Sequence, residues 1–286
     1  ASGKVLTADR VVLAPGVEFD PVLGLTDPLQ MPHAWKAGPQ TTALASQLSA
    51  MKAGGTVVLT IPKAPYRCPP GPYERACLLA DWLKARKKGS KIIVLDANPD
   101  ILVEKDNFSS AFLGLHGSVL EYHNNVEIDH VDAATRTLYF VGGGSLSANV
   151  VNLIPRQRAV ALMQATGLAN ATEGRFAAVN VLDYSSTAAP TKVHVLGDAS
   201  ATTQPKAGHI ANQEAKVCAD ALTRIFAGGS PDPAPATNSS CFSTITMKQA
   251  SWLHSFFQYD PVTGTMKGVP AGSGASAGWD SDGFQD

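Results

Sequence analysis

The sequence has almost no charge excess and no cluster of charge of one sign. Its net charge is −1, and its 23 lysine and arginine residues are scattered over 286 positions. A basic stripe or patch is the electrostatic footprint of a nucleic-acid-binding protein, and none is present. Binding to DNA or RNA is therefore excluded.

Long apolar runs are absent as well. None approaches the roughly 20 residues that a membrane-spanning helix needs, and residues 1–10 contain no apolar core of a signal peptide. With 44% hydrophobic residues the chain can still bury a sizeable core, and it is long enough for more than one domain. These features predict a soluble globular protein without a membrane span.

Cysteine is scarce and follows no motif. The four cysteines are Cys68, Cys77, Cys218 and Cys241. Their spacing includes neither a CxxC pair nor a zinc-ligand pattern, which argues against a metal site. They are too few for a disulfide scaffold but could supply one long-range bridge in an oxidising compartment. Cys77 and Cys218 fall on apolar faces of expected helices and are interpreted as core residues.

Strand and helix patterns alternate along the chain, which predicts an α/β fold. A buried strand is expected at residues 56–61, a helix at 73–87, and a strand at 91–95 that ends at Asp96. These three elements form a βαβ unit, which is how a dinucleotide-binding half begins. A long helix is expected at residues 208–226, before a linker rich in Gly, Pro, Ser and Asp.

The first loop of the βαβ unit is unsuited to a nucleotide pyrophosphate. A pyrophosphate needs a glycine-rich turn that lets backbone N–H groups approach it, whereas residues 61–74 read IPKAPYRCPPGPYE. The prolines remove donors, and bulky side chains fill the space. The scaffold of a nicotinamide domain is therefore expected, but NADH binding is not.

The same loop presents Cys68 beside the start of a helix, next to Arg67. A helix N-terminus and a neighbouring cation both stabilise a thiolate, so the pattern predicts a reactive nucleophile. The alternative is a small cysteine buried under a loop. Glu74, in the first turn of the helix, is either an acid/base or only a favourable partner of the helix dipole.

A second motif is TKVHVLGDA at residues 191–199. It is a short apolar strand that ends in Gly197 and Asp198, and the long helix begins near Gly208. In two-dinucleotide flavoproteins such a carboxylate binds the ribityl hydroxyls of the flavin, and the positive helix end faces the isoalloxazine. The alternative is a turn that merely closes a buried strand.

Several motifs together resemble one family. The run DRVVLAPG, which ends at Pro15 and Gly16, resembles the strand and turn by which these flavoproteins return to their FAD-binding domain. The other motifs are AWKAG at residues 34–38, YRCPPGPYERA at 66–76, NLIP at 152–155, and LGDAS at 196–200 with Pro205 and Lys206. Over nearly the whole chain they resemble the flavoprotein subunit of flavocytochrome c sulfide dehydrogenase.

The resemblance implies a FAD enzyme with a glutathione-reductase-like, Rossmann-type three-layer fold. It implies a FAD-binding domain at residues 1–21 and 151–231, a second Rossmann-like domain at 22–150 and a small C-terminal domain at 232–286. The family's Gly-rich pyrophosphate motif is not in the sequence, so the first domain is expected to be incomplete. We therefore expect a fragment that binds FAD weakly or not at all.

The resemblance also implies the site residues. Cys68 pairs with Cys241 in a redox-active disulfide beside the flavin, and Glu74 is a nearby acid/base. The sequence alone does not choose Cys241 over Cys77 or Cys218. The residues expected to bind FAD are Pro15, Gly16, Gly197, Asp198, Lys206, Gly208 and Asn212. No metal site is expected.

In such an enzyme, sulfide attacks the disulfide to give a persulfide, and two electrons pass to FAD and then singly to a c-type cytochrome subunit that carries haem c. A persistent disulfide and a c-type haem partner both predict a periplasmic location. One alternative is a sulfide:quinone oxidoreductase, but its apolar amphipathic C-terminal helices are not expected in this Gly-, Ser- and Asp-rich tail. The tail's apolar cluster, Trp252, Phe256 and Phe257, is attributed to a helix packed on the domain. The other alternative is a binding or scaffold protein that retains the flavoprotein fold.

Overall fold

The structure is a computed structural model that describes residues 3–285, with side chains up to residue 283, so residues 1 and 2 of the expected first segment lie outside it. The helices are α1 Pro39–Ala50, α2 Gly71–Arg86, α3 Lys105–Ser110, α4 Ala161–Ala165, α5 Gly208–Phe226 and α6 Asp282–Gln285. The strands are β1 Val11–Leu13, β2 Val17–Phe19, β3 Thr56–Ile61, β4 Lys91–Asp96, β5 Leu120–His123, β6 Ile128–Asp132, β7 Thr137–Phe140, β8 Ser145–Ser147, β9 Val150–Leu153, β10 Gln157–Ala159, β11 Ala177–Asn180, β12 Ser185–Ser186, β13 Val193–Val195, β14 Ser200–Ala201, β15 Ala236–Thr246, β16 Gln249–Asp260, β17 Thr265–Gly268 and β18 Gly274–Ala275.

The described chain divides into two compact units. Unit 1 comprises the residues up to 18 together with 157–240 and 254–274, and unit 2 comprises 19–156, 241–253 and the residues from 275. Residues 232–286, which the resemblance implied as a separate C-terminal domain, are divided between the two units. The expected division into domains stays a prediction.

Unit 2 is built on a parallel sheet with the strand order β5-β4-β3-β9. Its central strands read TVVLTI and KIIVLD, and nearly all of their residues are buried. Continuous β-branched and apolar runs of this kind are typical of parallel strands that are covered on both faces. The βαβ unit expected from the sequence is formed by β3, α2 and β4.

The two faces of this sheet are covered differently. One face packs against the apolar sides of α1 and α2, through residues such as Leu44, Leu48 and Leu83. The other face packs against the antiparallel sheet β6-β7-β8, through Val131 and Leu138. Helices, parallel sheet and antiparallel sheet form three layers, which is the expected Rossmann-type arrangement.

Unit 1 contains a five-stranded sheet of order β1-β13-β12-β11-β14. Strands β1 and β13 run parallel, and Leu13 pairs with Val195. Because parallel strands end at the same edge of a sheet, the turns that follow β1 and β13 lie at one edge. Helix α5 begins at Gly208 and contributes Cys218 to a cluster with Leu196.

The expected helix around Trp252, Phe256 and Phe257 is wrong, because these residues lie in strand β16. Aromatic residues have a high strand propensity, and β16 pairs with β15, β17 and β18. Within the described part of the chain, no helix is both long and apolar enough to cross a membrane.

Candidate functional site

Cys68 lies in the loop between β3 and α2 of unit 2. Its backbone is left-handed, with a φ of 59°, a conformation that costs a non-glycine residue of the order of 1 kcal/mol. The carbonyl of Cys68 accepts a 2.9 Å hydrogen bond from the amide of Gly71, at the first position of α2. A Cβ on residue 71 would lie only 2.8 Å from the sulfur, so glycine is required there.

A second loop supports this one. The indole N–H of Trp35 donates a 3.0 Å hydrogen bond to the carbonyl of Arg67, and the Arg67 guanidinium donates to the carbonyl of Trp35. The guanidinium of Arg75 stacks over the Trp35 ring at 4.5 Å and donates to the carbonyls of His33 and Ala34. The AWKAG motif therefore fixes the loop that carries the cysteine.

A cavity of about 420 Å³ opens beside the sulfur. It is lined by Ala34, Trp35, Ala37, Arg67, Cys68, Gly71, Glu74, Arg75 and Leu78. Two guanidinium groups thus face the same space as the thiol and the Glu74 carboxyl. This composition suits a small anion.

The surroundings of reduced Cys68 oppose the thiolate that the sequence suggested. Burial raises the pKa of this thiol to about 11, and the negative charges of Glu74 and Cys241 raise it further. The Gly71 amide and Arg67 lower it, as the sequence suggested, but their effect is smaller. As a residue Cys68 is exposed, yet its sulfur lies close to Gly71 at the start of α2, so that the thiol itself is less hydrated than the residue as a whole.

Cys241 lies in β15, in the part of that strand that belongs to unit 2. Its charge contributes to the pKa of Cys68, so the two sulfur atoms lie within electrostatic range of each other. Cys77 and Cys218 are almost fully buried in hydrophobic clusters, which confirms their interpretation as core residues. The structure therefore places Cys241 within electrostatic range of Cys68, and their pairing as a disulfide stays a prediction.

Glu74 connects α2 to the strand of Cys241. Its carboxylate accepts hydrogen bonds from the hydroxyl and the amide of Thr244, three residues after Cys241. Burial raises the pKa of Glu74, whereas the two Thr244 hydrogen bonds lower it. A buried carboxyl that lines the same cavity as a thiol can exchange a proton with it, so the geometry is compatible with the expected acid/base role.

Glu104 is a residue that the sequence did not indicate. Its buried carboxylate accepts 2.6 Å hydrogen bonds from the hydroxyls of Ser243 in β15 and Ser251 in β16. No motif surrounds it, and its partners are far away along the chain. In the sequence, therefore, nothing distinguishes it from an ordinary surface glutamate.

Asp96, at the end of β4, occupies the place of an acidic residue that would bind a nucleotide ribose. It is fully buried, and its carboxylate accepts hydrogen bonds of 2.8 Å from Tyr73 and from Tyr122. The amide and side chain of Asn98 also donate to it. Its hydrogen-bonding capacity is therefore used inside the protein, which agrees with the expectation that NADH does not bind.

The residues expected to bind FAD lie in unit 1. Gly16 and Gly197 have positive φ values of 73° and 67°, and each follows the end of its strand, β1 or β13. Asp198 is half-buried in the short helical turn after β13. Gly208 and Asn212 are exposed at the start of α5, whose first turn has no side-chain cap. The seventh member of the expected set, Pro15, precedes Gly16 in the turn after β1.

These residues fit the ribityl and isoalloxazine end of a flavin. A Cβ on residue 197 would lie 3.1 Å from Ala211, so the turn and the helix approach each other closely. The uncapped amides of a 19-residue helix suit an anionic flavin ring. Their binding of FAD stays a prediction.

Lys206 stabilises the turn that contains Asp198. It is buried, its ammonium donates to the carbonyls of Asp198 and Ser200 at 2.8 and 2.7 Å, and it lies over the ring of Phe176. Burial lowers the pKa of Lys206 to about 8. It therefore holds the loop that carries the Asp198 carboxylate.

Glu214 holds the same loop from α5, since its carboxylate accepts a hydrogen bond from the amide of Gly197. Burial raises the pKa of Glu214 to about 7, above the ordinary value of 4.5. Because this pKa is higher in the folded than in the unfolded protein, protonation of Glu214 favours the folded state. The contribution of Glu214 to the free energy of unfolding is fully present below pH 4.5 and is lost as the pH rises to 7. In the wild type, Glu214 should lower the free energy of unfolding by roughly 3 kcal/mol as the pH rises through this range. We expect this fall to be absent in Glu214→Gln.

Urea unfolding followed at several pH values between 4 and 8 measures this effect. Asp220→Asn is the matched control, because Asp220 is an exposed acid on the same helix, paired with Arg224. Parallel curves for wild type and Glu214→Gln would contradict the prediction.

Comparisons with known proteins were consistent with this geometry. A family model described as the central part of the sulfide dehydrogenase (flavocytochrome c) flavoprotein chain matches residues 41–155. The matched segment includes Cys68, Glu74, Asp96 and Glu104. Within the described residues, no group of three or more His, Cys, Asp or Glu could hold a metal ion.

Solved structures share the fold at low sequence identity. A chain of the mitochondrial ATP synthase of Tetrahymena thermophila aligns with a TM-score of 0.66 and 15% identity, over 87% of this chain and 64% of that one. The NAD-dependent persulfide reductase of A. fulgidus aligns with a TM-score of 0.59 and 11% identity, over 98% and 57%. A chain of the covalent putidaredoxin reductase–putidaredoxin complex gives 0.57 and 14%, over 90% and 65%.

This chain thus spans less than two thirds of the length of each of these structures. Its fold is the glutathione-reductase-like, two-dinucleotide-binding fold of flavoprotein oxidoreductases. Residues 41–155 match the model of the central part of the flavocytochrome c sulfide dehydrogenase flavoprotein chain, and this match confirms the resemblance inferred from the motifs of that segment.

Proposed function

We propose that this chain carries the redox disulfide of a FAD-dependent sulfide dehydrogenase, which oxidises sulfide to sulfur or polysulfide and passes the electrons to a c-type cytochrome subunit. One observation carries the proposal: Cys68 and Cys241 lie within electrostatic range, and Cys68 lines a cavity that also presents Glu74 and two arginines. The family match of residues 41–155 supports the same chemistry.

The cavity beside Cys68 is the entry for substrate in this proposal. Hydrosulfide is a small anion, and the guanidinium groups of Arg67 and Arg75 attract it to the sulfur. Its sulfur forms a bond to Cys68 Sγ, the bond between Cys68 and Cys241 breaks, and Cys241 leaves as a thiolate. The products are a persulfide on Cys68 and a reduced Cys241.

Hydrosulfide attacks Cys68 because this residue lines the cavity through which the anion enters. The bond to Cys241 then breaks, and Cys241 is released as the thiolate. A second hydrosulfide then attacks the outer sulfur of the persulfide, and the bond between that sulfur and Cys68 Sγ breaks. The products are a disulfide anion and the Cys68 thiol. The net change is the two-electron oxidation of one hydrosulfide to sulfane sulfur.

Glu74 donates and accepts the proton in these steps. Its carboxyl lines the cavity, and burial raises its pKa above the ordinary value of a glutamate. It can give a proton to the Cys68 sulfur as the persulfide is cleaved and take it back when the disulfide forms again.

Pro15, Gly16, Gly197, Asp198, Gly208 and Asn212 would hold FAD, with Lys206 fixing the loop of Asp198. When bound, FAD supplies the two-electron acceptor that allows the disulfide to form again. The cytochrome subunit with haem c, and a periplasmic location that suits both a haem partner and a lasting disulfide, are parts of the same proposal.

A titration of the complete protein tests the function and separates its alternatives. Sulfide is added without oxygen while the flavin absorbance is followed, and cytochrome c or a soluble quinone analogue is then supplied. We expect stoichiometric bleaching and rapid reoxidation by cytochrome c. Reoxidation by the quinone alone would favour a sulfide:quinone oxidoreductase, and an absence of bleaching would favour a binding protein.

A further inference from the structure

Glu104 has an unusual backbone for a buried acid. It lies between β4 and α3 in the left-handed region, with a φ of 47°, and its side chain is buried. A glutamate in this region costs of the order of 1 kcal/mol and persists only where its surroundings hold it. Such an outlier points to a constraint imposed by its contacts.

Those contacts are with both strands of the hairpin that carries Cys241. Ser243 Oγ, in β15, donates to Glu104 Oε1, and Ser251 Oγ, in β16, donates to Oε2, each at 2.6 Å. Ser243 lies two residues after Cys241. Hydrogen bonds to a charged acceptor are about twice as strong as neutral ones. One carboxylate therefore bridges the two strands close to the cysteine, within unit 2.

Glu104 also acts through space on Glu74. Burial raises the pKa of Glu74, and the negative charge of Glu104 raises it further, against the hydrogen bonds of Thr244 and the charge of Arg75. The titratable and charged groups in range of Glu74 include Cys68, Arg75, Cys77 and Glu104. Only Arg75 among them is a cation.

We propose that Glu104 is a positioning residue of the Cys68–Cys241 centre, which bridges the two strands of the Cys241 hairpin and holds a negative charge behind Glu74. This inference rests on the proposed function of the cysteine pair. Glu104 acts on the cysteine pair indirectly. It accepts a hydrogen bond from Ser243, in the strand of Cys241, and its charge acts on Glu74, which accepts a hydrogen bond from Thr244 of the same strand.

The charge is tested by Glu104→Gln, which keeps the shape of the side chain. The reduced chain is alkylated at a series of pH values, and the rate at Cys68 is read from its peptide by mass spectrometry. Ionised Glu74 slows this reaction, so the profile has an inflection where Glu74 titrates. We expect Glu104→Gln to move that inflection about one pH unit lower. Glu74→Gln should remove it, and the double variant should match Glu74→Gln.

The bridge is tested by the disulfide equilibrium with glutathione. We expect Glu104→Gln and Ser251→Ala each to lower the equilibrium constant for the Cys68–Cys241 disulfide about tenfold. Asp106→Asn, an exposed acid in the first turn of α3, is the control and should leave both measurements unchanged. The role of Glu104 is overturned if Glu104→Gln leaves the inflection of the alkylation profile unmoved and has the same disulfide equilibrium constant as Asp106→Asn. Failure of the wild-type chain to form this disulfide overturns the proposed function instead.

Discussion

Replacing either Cys68 or Cys241 by serine will abolish sulfide-dependent bleaching in the complete protein and leave its flavin absorbance in place. A serine hydroxyl cannot form the disulfide that hydrosulfide attacks, so the electron pair has no route from substrate. We expect the bleaching rate to fall by at least about a thousandfold in each variant, and no further in the double variant, because the two sulfurs act as one unit. Anaerobic stopped-flow absorbance measures it.

Cys77→Ala and Cys218→Ala are the matched controls for this prediction. Both residues are almost fully buried in hydrophobic clusters, so each alanine should cost about 1 kcal/mol of stability and leave bleaching unchanged. Bleaching at the wild-type rate in Cys68→Ser or Cys241→Ser would rule out the disulfide mechanism. Loss of bleaching in Cys77→Ala alone would show that the wrong cysteine has been chosen.

Regular elements with strong local patterns could be predicted from the sequence. Helix α5 was expected at residues 208–226 and has these bounds, and strand β3 was expected at 56–61 and is found there. Both have signals within their own residues: an apolar period of 3.6 in the helix and a continuous β-branched run in the strand. The α/β fold follows from the alternation of such segments.

The tail could not be predicted in the same way. Trp252 and Phe256 are four residues apart, a helical spacing, but they lie in β16, which pairs over much of its length. The turn before it, at Met247 and Lys248, lacks the glycine or asparagine that usually marks a tight hairpin. Pairing with the neighbouring strands β15 and β17 decided the structure, and that contribution is not written in the residues of β16 themselves.

The candidate site shows the same division between local and distant causes. Arg67 and the start of α2 are adjacent to Cys68 in the sequence, and they do lower the pKa of its thiol. Burial, Glu74 and Cys241 act in the opposite direction, and the burial and the approach of Cys241 depend on how the chain folds. The sequence thus gave the two local contributions that lower the pKa of this thiol but not the larger ones that raise it.

Asp96→Ala is expected to be among the most destabilising single substitutions in unit 2. The carboxylate accepts hydrogen bonds from Tyr73 and Tyr122 and two from Asn98, so its removal leaves several buried donors without an acceptor. Each such donor costs about 1–3 kcal/mol. We expect a loss of about 3–5 kcal/mol in the free energy of unfolding, measured by urea denaturation with a probe in unit 2.

Asp129→Ala is the control, since Asp129 is an exposed acid in β6 of the same unit, beside His130, and its loss should change stability by no more than about 0.5 kcal/mol. The comparison also distinguishes two tasks for Asp96. If the carboxylate served a nucleotide ribose, Asp96→Ala would weaken NADH binding and cost little stability. If its four hydrogen bonds hold β4 to α2, to β5 and to the loop after β4, as the geometry indicates, NADH will not bind to the wild type, and the variant will lose stability instead.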